Sequence, residues 1–364
     1  MSKIFELFGH RLNDTSAEAR YSRNNALCPF MQAKCDGGGN RYLSNINLAR
    51  KPELRQVFNK LDNIASGVCS LQLHQNETPW IVCLRRLIYP LREQHKVDGY
   101  QARAIHRLWE IAGYQSPCQL GVWPELRISH RSEAKSFAYT FDYVIMSLQS
   151  LDQDAIIDLT GESWHRVRPN LVKAGYTIAQ RGNTEFVEDF PSGEPLIVEV
   201  MTSSTSGGNK DKRSTIPMAV EDALLKDDHL APGINYRQVW ARMVSQLIVK
   251  SEVAIAWGGK TVWVLQDKLV DYISETTALN VHQFLAKNTD EVNILSLAYQ
   301  ENFESDSGVL ELSSGDLFAG PISSTSQSQP SFQDMIRAPL LPSRAVLINA
   351  VTKRYPAMVH LLTP

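Results

Sequence analysis

The sequence predicts an α/β protein that begins with an irregular region, on three observations. From residue 118 onward, short apolar segments typical of strands alternate with segments of helical periodicity. The first 95 residues lack this alternation and contain four of the five cysteines. The 364 residues are 43% hydrophobic and 21% charged, which is enough to bury a core in one large domain or two.

The charge balance excludes a strongly basic protein but is compatible with a local basic surface. Lysine and arginine number 37 against 39 acidic residues, so the formal net charge is -2. Such a protein has no global field that attracts nucleic acid, yet DNA binding needs only a local basic groove. Two segments could supply that groove: NKDKR at 209–213, and a stretch over 84–107 with Arg85, Arg86, Arg92, Lys96, Arg103 and Arg107.

The sequence also predicts the compartment. The chain has no run of about eighteen apolar residues that would form a transmembrane helix, and the N-terminal MSKIFELFGHR lacks the apolar stretch of a signal peptide. An odd number of cysteines argues against a disulfide framework. We therefore expect a soluble intracellular protein that has no membrane partner.

Local periodicity predicts the elements, starting in the N-terminal region. A helix is predicted at about 52–65, and the segment 71–84 (LQLHQNETPWIVCL) is typical of a hairpin that turns at 75–77. Residues 101–113 carry apolar side chains at helical spacing, and Gly113 favours a helix end there.

Strands and helices then alternate toward the C-terminus. Strands are predicted over 120–129, 136–146, 195–201, 253–257, 260–266, 293–300 and 308–313. Helices are predicted at about 161–174, at 236–250, from Asp267 onward and at 344–355. Loops are predicted at 203–209, which is rich in serine and glycine, and at 322–331, which is polar.

Two acidic residues lie inside otherwise apolar predicted strands. Glu199 lies in LIVEVM and Asp142 in FAYTFDYVIM, where an isolated carboxylate is costly unless it is paired or binds a metal ion. Glu199 could instead be a strand-end acid that reaches solvent or a salt bridge. Because the two acids occupy consecutive sheet segments, together they could bind Mg²⁺ for phosphodiester hydrolysis. Glu125, in WPELRI, is either a third acid of this site or a surface residue.

A polar row runs along the helix predicted at 236–250. Arg242, Gln246 and Lys250 are four residues apart, and Lys250 falls at the edge of the apolar stripe that faces the sheet. From this position its ammonium group could reach the carboxylates. Alternatively, Lys250 interacts only with the C-terminal end of its own helix, which would stabilise it by a few tenths of a kcal/mol.

The four N-terminal cysteines are candidates for a tetrahedral metal site made of Cys28, Cys35, Cys69 and Cys83. They do not form paired CxxC motifs, but four thiolates in a loop-rich segment suit zinc or iron. The alternative is that they are buried free thiols, which pack as small hydrophobic side chains. The fifth cysteine, Cys118, is expected to be structural.

Several short segments of the sequence, taken in order, resemble the NotI type of restriction endonuclease. The N-terminal patches are FGHR at 8–11, AR at 19–20, CPF at 28–30, GVC at 67–69, and WIVC at 80–83 with Arg85 or Arg86 after it. The later patches are EL and IS within 125–129, FD at 141–142, EVMT at 199–202, and the row of Arg242, Gln246 and Lys250. The resemblance runs in short patches over roughly residues 5–272, and their number and order make it specific.

The resemblance implies the PD-(D/E)xK nuclease fold, a central mixed sheet flanked by helices. In that fold an Asp on one strand works with an acid-x-Lys motif on the next. It implies that Asp142 and Glu199 are catalytic acids that bind Mg²⁺, with Glu125 as a possible third. Met201 occupies the place of the usual Lys, or of the Gln that the NotI type tolerates, and a thioether replaces neither. Gln246 and Lys250 are therefore included among the catalytic candidates.

The resemblance also implies a function, partners and an organisation. It implies a homodimeric enzyme that cuts double-stranded DNA at a palindrome, in a prokaryotic cytoplasm that also holds a cognate DNA methyltransferase. It implies structural iron at the four cysteines, whereas the residues alone suggest zinc. The expected parts are a four-cysteine, DNA-contacting region at 1–95, a nuclease core at 96–290 with an insertion at about 150–185, and a C-terminal part at 291–364 without a recognised role. The insertion offers His165, Arg166 and Arg168 to DNA.

Two alternatives to a nuclease remain. The protein could be a non-catalytic DNA-binding protein that keeps the fold and the metal site but has lost the chemistry at Met201. It could also be a four-cysteine regulatory module fused to an unrelated α/β enzyme. The first alternative requires Asp142 and Glu199 to be far apart, or Lys250 to point away from them. The second requires a detached cysteine domain.

Overall fold

The computed structural model describes residues 2–38, 45–91, 99–114, 118–131, 136–226, 228–300, 308–313, 315–324 and 329–337. The helix predicted at 344–355, part of the loop predicted at 322–331, and two residues of the basic stretch, Arg92 and Lys96, lie outside these ranges. Within them, no helix is both long and apolar enough to cross a membrane.

The N-terminal region consists of short elements. Its strands are β1 (Lys3–Leu7), β2 (His10–Arg11), β3 (Leu27–Cys28), β4 (Ala33–Lys34), β5 (Ile46–Asn47), β6 (Asn63–Ile64), β7 (Val68–Gln72) and β8 (Trp80–Ile81). Its helices are α1 (Ala17–Asn24), α2 (Pro52–Val57) and α3 (Leu84–Leu87), with a 3-10 turn at Leu48–Arg50. Strands β2, β1, β7 and β8 form an antiparallel sheet in that order, which includes the predicted β7–β8 hairpin.

A mixed sheet forms the centre of the molecule. Its strands are β9 (Leu120–Arg131), β10 (Ser136–Asp152), β11 (Ile178–Arg181), β12 (Thr184–Met201), β13 (Lys260–Gln266), β14 (Val292–Leu297) and β15 (Leu317–Gly320). Their order in the described chain is β15-β14-β13-β12-β10-β9, and β11 also pairs with β12. Strands β12, β13 and β14 are parallel, whereas β10 is antiparallel to both of its neighbours.

Helices cover both faces of this sheet. The helices of this part are α4 (Gly99–Ala112), α5 (Gln153–Thr160), α6 (Trp164–Ala174), α7 (Ile216–Leu225), α8 (Tyr236–Ala256) and α9 (Asp267–Thr276), with 3-10 turns at Val281–Phe284 and Phe332–Ile336. Helix α7 packs on the N-terminal region, where Ala219 and Val220 join the cluster that contains Ile4. Helices α8 and α9 pack on one face, where Met243 and Leu247 contact the cluster that contains Trp263. Helix α4 and the N-terminal region pack on the other face. The predicted α/β class, with a mixed sheet flanked by helices, is confirmed.

Four element predictions were wrong in part. The strand predicted at 253–257 is the last turn of α8, because Ala254 continues the buried helical stripe of Leu247 and Lys250 against the sheet. The helix predicted at 52–65 ends at Val57, and the backbone at Asn59 and Lys60 has φ values of 45° and 62°, which a right-handed helix cannot accommodate.

The strand predicted at 308–313 is not continuous. Its residues form isolated bridges, from Val309 to His10 and from Leu312 to Tyr299. The helix predicted at about 161–174 begins at Trp164, and α5, β11 and β15 were not anticipated.

The segment between the two central strands, expected as an insertion at about 150–185, builds a small layer of its own. Strands β10 and β12 extend beyond the core and pair there through Asp152 and Phe186. Helices α5 and α6 pack on this extension around a separate apolar cluster that includes Ile156, Val187 and Phe190. This segment thus adds to one end of the sheet without separating the two acids from each other.

The N-terminal region and the sheet share one hydrophobic core. Cys28, Cys69 and Cys83 belong to the same buried cluster as Val198 and Val264 of the central strands. A hydrogen bond also joins the N-terminal region to the sheet, since the Gln266 side chain on β13 accepts from the Ile81 amide on β8 at 2.8 Å. The cysteine region is therefore packed directly on the strand that contains Glu199.

Candidate functional site

Asp142 and Glu199 lie opposite each other on β10 and β12. The backbone ladder pairs Tyr143 with Val198, and the next position places Asp142 across from Glu199. Oδ2 of Asp142 accepts a hydrogen bond from the Val200 amide at 2.9 Å, and Oε1 of Glu199 accepts one from the Asp142 amide at 3.3 Å. Each carboxylate is therefore held by an amide of the neighbouring strand.

Lys250 reaches these strands from α8. Its Nζ atom donates to Oε2 of Glu199 at 2.6 Å and to the Thr140 carbonyl at 2.8 Å. The aromatic rings of Phe141 and Trp263 lie 5.3 and 6.0 Å from the same atom. Because α8 continues to Ala256, Lys250 is more than a turn from the helix end, and its ammonium group points to the sheet. The alternative role at the helix terminus does not agree with this geometry.

Glu199 is a deeply buried carboxyl group beside a second one. The residue is 3% exposed. Burial, and next the neighbouring charge of Asp142, raise the pKa of Glu199 to about 8, although Lys250 acts in the opposite direction. Lys250 therefore offsets only part of the effect of burial and of Asp142 on Glu199. Carboxylate oxygens in this arrangement fit Mg²⁺, which takes one or two protein carboxylates and completes its shell with water and phosphate oxygens.

Glu125 lies next to this pair without joining it. Its neighbours on β9, Leu126 and Pro124, pair with Phe141 and Tyr143, so Glu125 is across from Asp142. Its side chain is exposed and its φ is 48°, a left-handed conformation that costs energy for any residue with a Cβ atom. Among the described residues, no three His, Cys, Asp or Glu side chains form a group that could hold a metal ion. The structure therefore brings together two of the three predicted acids.

Met201, at the place of the usual lysine, and the polar residues of α8 that could replace that lysine take different positions. Met201 is partly buried and packs into the apolar cluster under α8, so its thioether is part of the core. Gln246 is half-buried one turn before Lys250 on α8, and Arg242 is exposed one turn earlier. Of this row, Lys250 is the residue that contacts a candidate catalytic acid.

The four N-terminal cysteines are neighbours in space. Cys28, Cys69 and Cys83 are buried and Cys35 is half-buried. A thiol hydrogen bond to Cys83, together with burial, raises the pKa of Cys69. Burial, and next the charge of Cys83, raise the pKa of Cys35 to about 12 and also raise the pKa of Cys28. Cys83 thus interacts with each of the other three.

Backbone amides point at these sulfur atoms. The amides of Gly9 and Gly37 donate to the sulfurs of Cys69 and Cys35 at 3.3 and 3.4 Å. At Gly38, where φ is +77°, a Cβ atom would lie 2.5 Å from the sulfur of Cys83, so glycine is required there. These donors stabilise thiolates, which suits zinc or iron chemically. In the described part of the chain, no three His, Cys, Asp or Glu side chains are arranged so that they could hold a metal ion. The four-cysteine metal site therefore remains a prediction, and packing as buried thiols remains its alternative.

In the basic stretch at 84–107, which could supply a local basic groove, the described arginines form ion pairs. Arg86 is fully buried and forms an ion pair with Glu6 at 3.0 Å. Its other described arginines, Arg85, Arg103 and Arg107, form ion pairs with Asp36, Glu311 and Glu110. Of these arginines, Arg86 is the one whose burial removes it from any DNA-contacting surface.

The NKDKR segment and the basic residues at 165–168 combine ion-paired arginines with exposed side chains. In NKDKR, Arg213 binds Asp222 and Glu221, whereas Lys210 and Lys212 are exposed. On α6, ion pairs join Arg168 to Glu185 and Arg166 to Glu162, and His165 is exposed.

Sequence reasoning missed two groups of the site. The Thr140 carbonyl binds Lys250, and the hydroxyl of Tyr143 binds Arg85. Only the proximity of Thr140 and Tyr143 to Asp142 in the sequence could have indicated them.

Comparison with known proteins supplies no function, so a functional conclusion rests on the geometry of the candidate site. A scan against protein-family models finds no family that matches, and a search of the curated proteins finds no similar sequence.

Proposed function

We propose that this protein is a type II restriction endonuclease, which hydrolyses phosphodiester bonds in double-stranded DNA at a palindromic sequence and depends on Mg²⁺. The observation that carries the proposal is the contact of Lys250 with Glu199, directly across the sheet from Asp142. Two carboxylates and one cation that meet at neighbouring strands are the groups that metal-assisted hydrolysis of a phosphate ester needs.

Each residue of this site has a defined role in the proposal. Asp142 and Glu199 would hold Mg²⁺, which, when bound, polarises a phosphoryl oxygen and makes water a better nucleophile. Lys250 places its side-chain nitrogen next to Glu199, where it would stabilise the negative charge that develops on the phosphate. Gln246 lies one helical turn away on the same face, where it can orient the attacking water. Glu125 would act from the edge strand as a polar contact to DNA or water.

The proposal includes the cysteine region and the partners. The four cysteines would hold a structural iron or zinc ion that stabilises the N-terminal region, which contributes to the DNA-contacting surface. A homodimer would match the two-fold symmetry of a palindromic site. The exposed Lys210 and Lys212 offer charges for backbone phosphates. In a prokaryotic cell a cognate methyltransferase would protect the host DNA.

The two rival functions fit the contacts less well. A non-catalytic DNA-binding protein would not need a buried glutamate with a raised pKa beside a second carboxylate, which is an unfavourable arrangement in the absence of chemistry. A detached cysteine module fused to an unrelated enzyme disagrees with the core that the cysteines share with Val198 and Val264.

Digestion of unmethylated genomic DNA with purified protein and Mg²⁺ tests the proposal. We expect discrete fragments whose sequenced ends reveal one palindromic site. Asp142→Asn keeps the shape of the side chain and an oxygen for the Val200 amide but removes the charge, so it should abolish cleavage and leave a folded dimer that binds the same DNA. Glu199→Gln should also abolish cleavage, with some loss of stability because Lys250 loses its partner.

The outcomes separate the candidate functions. Sequence-specific binding without cutting by the wild type would establish the non-catalytic alternative. Cleavage by Asp142→Asn at near wild-type rate would show that the reaction takes place elsewhere.

A further inference from the structure

Arg85, on α3, connects the cysteine cluster to the strand that contains Asp142. Its Nη1 atom donates to the hydroxyl of Tyr143 at 2.5 Å. Its Nε and Nη2 atoms donate to Oδ2 of Asp36 at 3.2 and 3.0 Å. The ring of Tyr89 lies 5.0 Å from the guanidinium carbon. One planar side chain thus spans two segments, and its fork of donors holds them in a defined orientation.

One end of this connection belongs to the cysteine cluster. Asp36 directly follows Cys35, and the Arg85 amide donates to the sulfur of Cys83. Gln101, which is 3% exposed on α4, donates to the Arg85 carbonyl at 2.8 Å. A change in the positions of Cys35 or Cys83 would therefore move Arg85, because its main chain and its guanidinium group are both attached to that cluster.

The other end belongs to the candidate active site. Tyr143 follows Asp142 on β10, is 1% exposed and packs in the core cluster that also contains Cys83. Tyr143 also forms the ladder pair with Val198 that directly precedes the position of Asp142 and Glu199. The bond from a charged donor to its hydroxyl is strong in a buried setting. The ring of Tyr143 therefore restrains the backbone that presents the Asp142 carboxylate.

We propose that Arg85 is a positioning residue, which transmits the arrangement of the cysteine cluster to Asp142 through Tyr143 and so maintains the geometry in which Asp142 and Glu199 bind a divalent cation. This inference rests on the proposed function, since it concerns the cation site of that reaction. It gives the cysteine cluster a second role in addition to folding the N-terminal region.

Binding of Mn²⁺, followed by electron paramagnetic resonance as a probe of the Mg²⁺ site, tests this link without requiring catalysis. Tyr143→Phe removes only the hydroxyl that Arg85 binds. We expect it to weaken cation affinity about tenfold, which corresponds to ~1.4 kcal/mol. Single-turnover cleavage should require a correspondingly higher Mg²⁺ concentration but reach a similar rate at saturation, because the reacting groups remain.

Tyr114→Phe is the matched control. The hydroxyl of Tyr114 donates to the carbonyls of Ile145 at 3.1 Å and Glu194 at 3.3 Å, which lie on the same two strands farther along the ladder. This variant loses a comparable hydrogen bond to the same sheet. It should show a similar decrease in melting temperature and an unchanged affinity for Mn²⁺.

Variants of Arg85 test transmission directly. Arg85→Met should weaken Mn²⁺ binding at least as much as Tyr143→Phe does, and Arg85→Lys should restore part of the affinity. In the Arg85→Met background, Tyr143→Phe should have no further effect, since both remove the same interaction. Cys83→Ser should likewise weaken Mn²⁺ binding in the wild-type background and not in the Arg85→Met background.

The results distinguish this inference from the proposed function. If Tyr143→Phe and Arg85→Met bind Mn²⁺ as the wild type does, or if Tyr114→Phe is equally impaired, Arg85 has only a structural role and the nuclease proposal stands. If the wild type neither binds Mn²⁺ at Asp142 and Glu199 nor cuts DNA, the proposed function itself is wrong.

Discussion

The Nζ atom of Lys250 lies 2.6 Å from Oε2 of Glu199, and both side chains are 3% exposed. The two residues are fifty-one positions apart and belong to a helix and a strand that pack face to face. Two positions beyond Glu199 on the same strand, Met201 is packed in the core. Helix α8 thus supplies a cation next to Glu199, and the proposed nuclease would use it in place of the lysine that Met201 lacks.

The first prediction concerns this lysine. Lys250→Met should lower the single-turnover cleavage rate by at least about a hundredfold, because transition-state stabilisation of ~2.7 kcal/mol corresponds to that factor. DNA affinity should change little, since one cation among many phosphate contacts is lost. Met201→Lys in the Lys250→Met background should restore part of the rate by returning a cation to the strand.

A matched lysine provides the control for this prediction. Lys268 also donates to a backbone carbonyl, that of Thr78 at 2.7 Å, and lies 4.7 Å from the Trp80 ring centroid. Lys268→Met should therefore lose stability but keep the cleavage rate of the wild type. A Lys250→Met enzyme that cuts normally would indicate that another group, such as the exposed Lys210 or Lys212, supplies the charge.

The second prediction concerns the cysteines. Purified protein should contain about one iron or zinc ion per chain, as measured by elemental analysis, because four thiolates complete the tetrahedral shell of either metal. Cys83→Ser should lose the metal and lower the melting temperature, since metal binding contributes directly to folding. Cys118 is exposed, so Cys118→Ser should retain both the metal and the melting temperature. Metal-free protein in which all four thiols react freely with an alkylating agent would contradict the site.

The third prediction concerns pH and stability at His10, which is completely buried in the N-terminal region. Burial is the main cause that lowers the pKa of His10 below its ordinary 6.5; Arg23 acts in the same direction, and Glu18, Asp14 and Glu6 oppose it. The unfolded chain therefore binds this proton more readily than the folded chain does. The associated stability is present above about pH 6.5 and is lost as the pH falls toward the folded pKa.

Urea unfolding at several pH values measures this effect. His10→Gln should show a smaller decrease in unfolding free energy than the wild type between about pH 7 and pH 5.5, because the titrating group is gone. His165→Gln changes an exposed histidine on α6 and should retain the slope of the wild type. Equal slopes for His10→Gln and the wild type would assign the acid sensitivity to other groups.

Local periodicity alone was sufficient to locate the secondary structure near the candidate site. Strands at 136–146 and 195–201 are within β10 and β12, and the helix predicted at 236–250 is within α8. Periodicity succeeded because one face of each element is buried against a neighbour, so the apolar spacing records that burial. It was wrong at 253–257, where β-branched residues in a short apolar run read equally well as a strand.

The sequence by itself determined that Asp142 and Glu199 are acids in apolar strands and that Lys250 is at the edge of the apolar stripe of its helix, since these properties depend only on spacing within one element. Whether its ammonium group reaches Glu199 was decided by the tertiary structure. Only the tertiary structure decided that Glu125 stays outside this pair, that Arg86 is buried with Glu6, and that Arg85 joins the cysteine cluster to Tyr143. Those relationships join residues from different elements. Their distances depend on register, backbone conformation and the packing of neighbouring layers, which no local pattern of residues records.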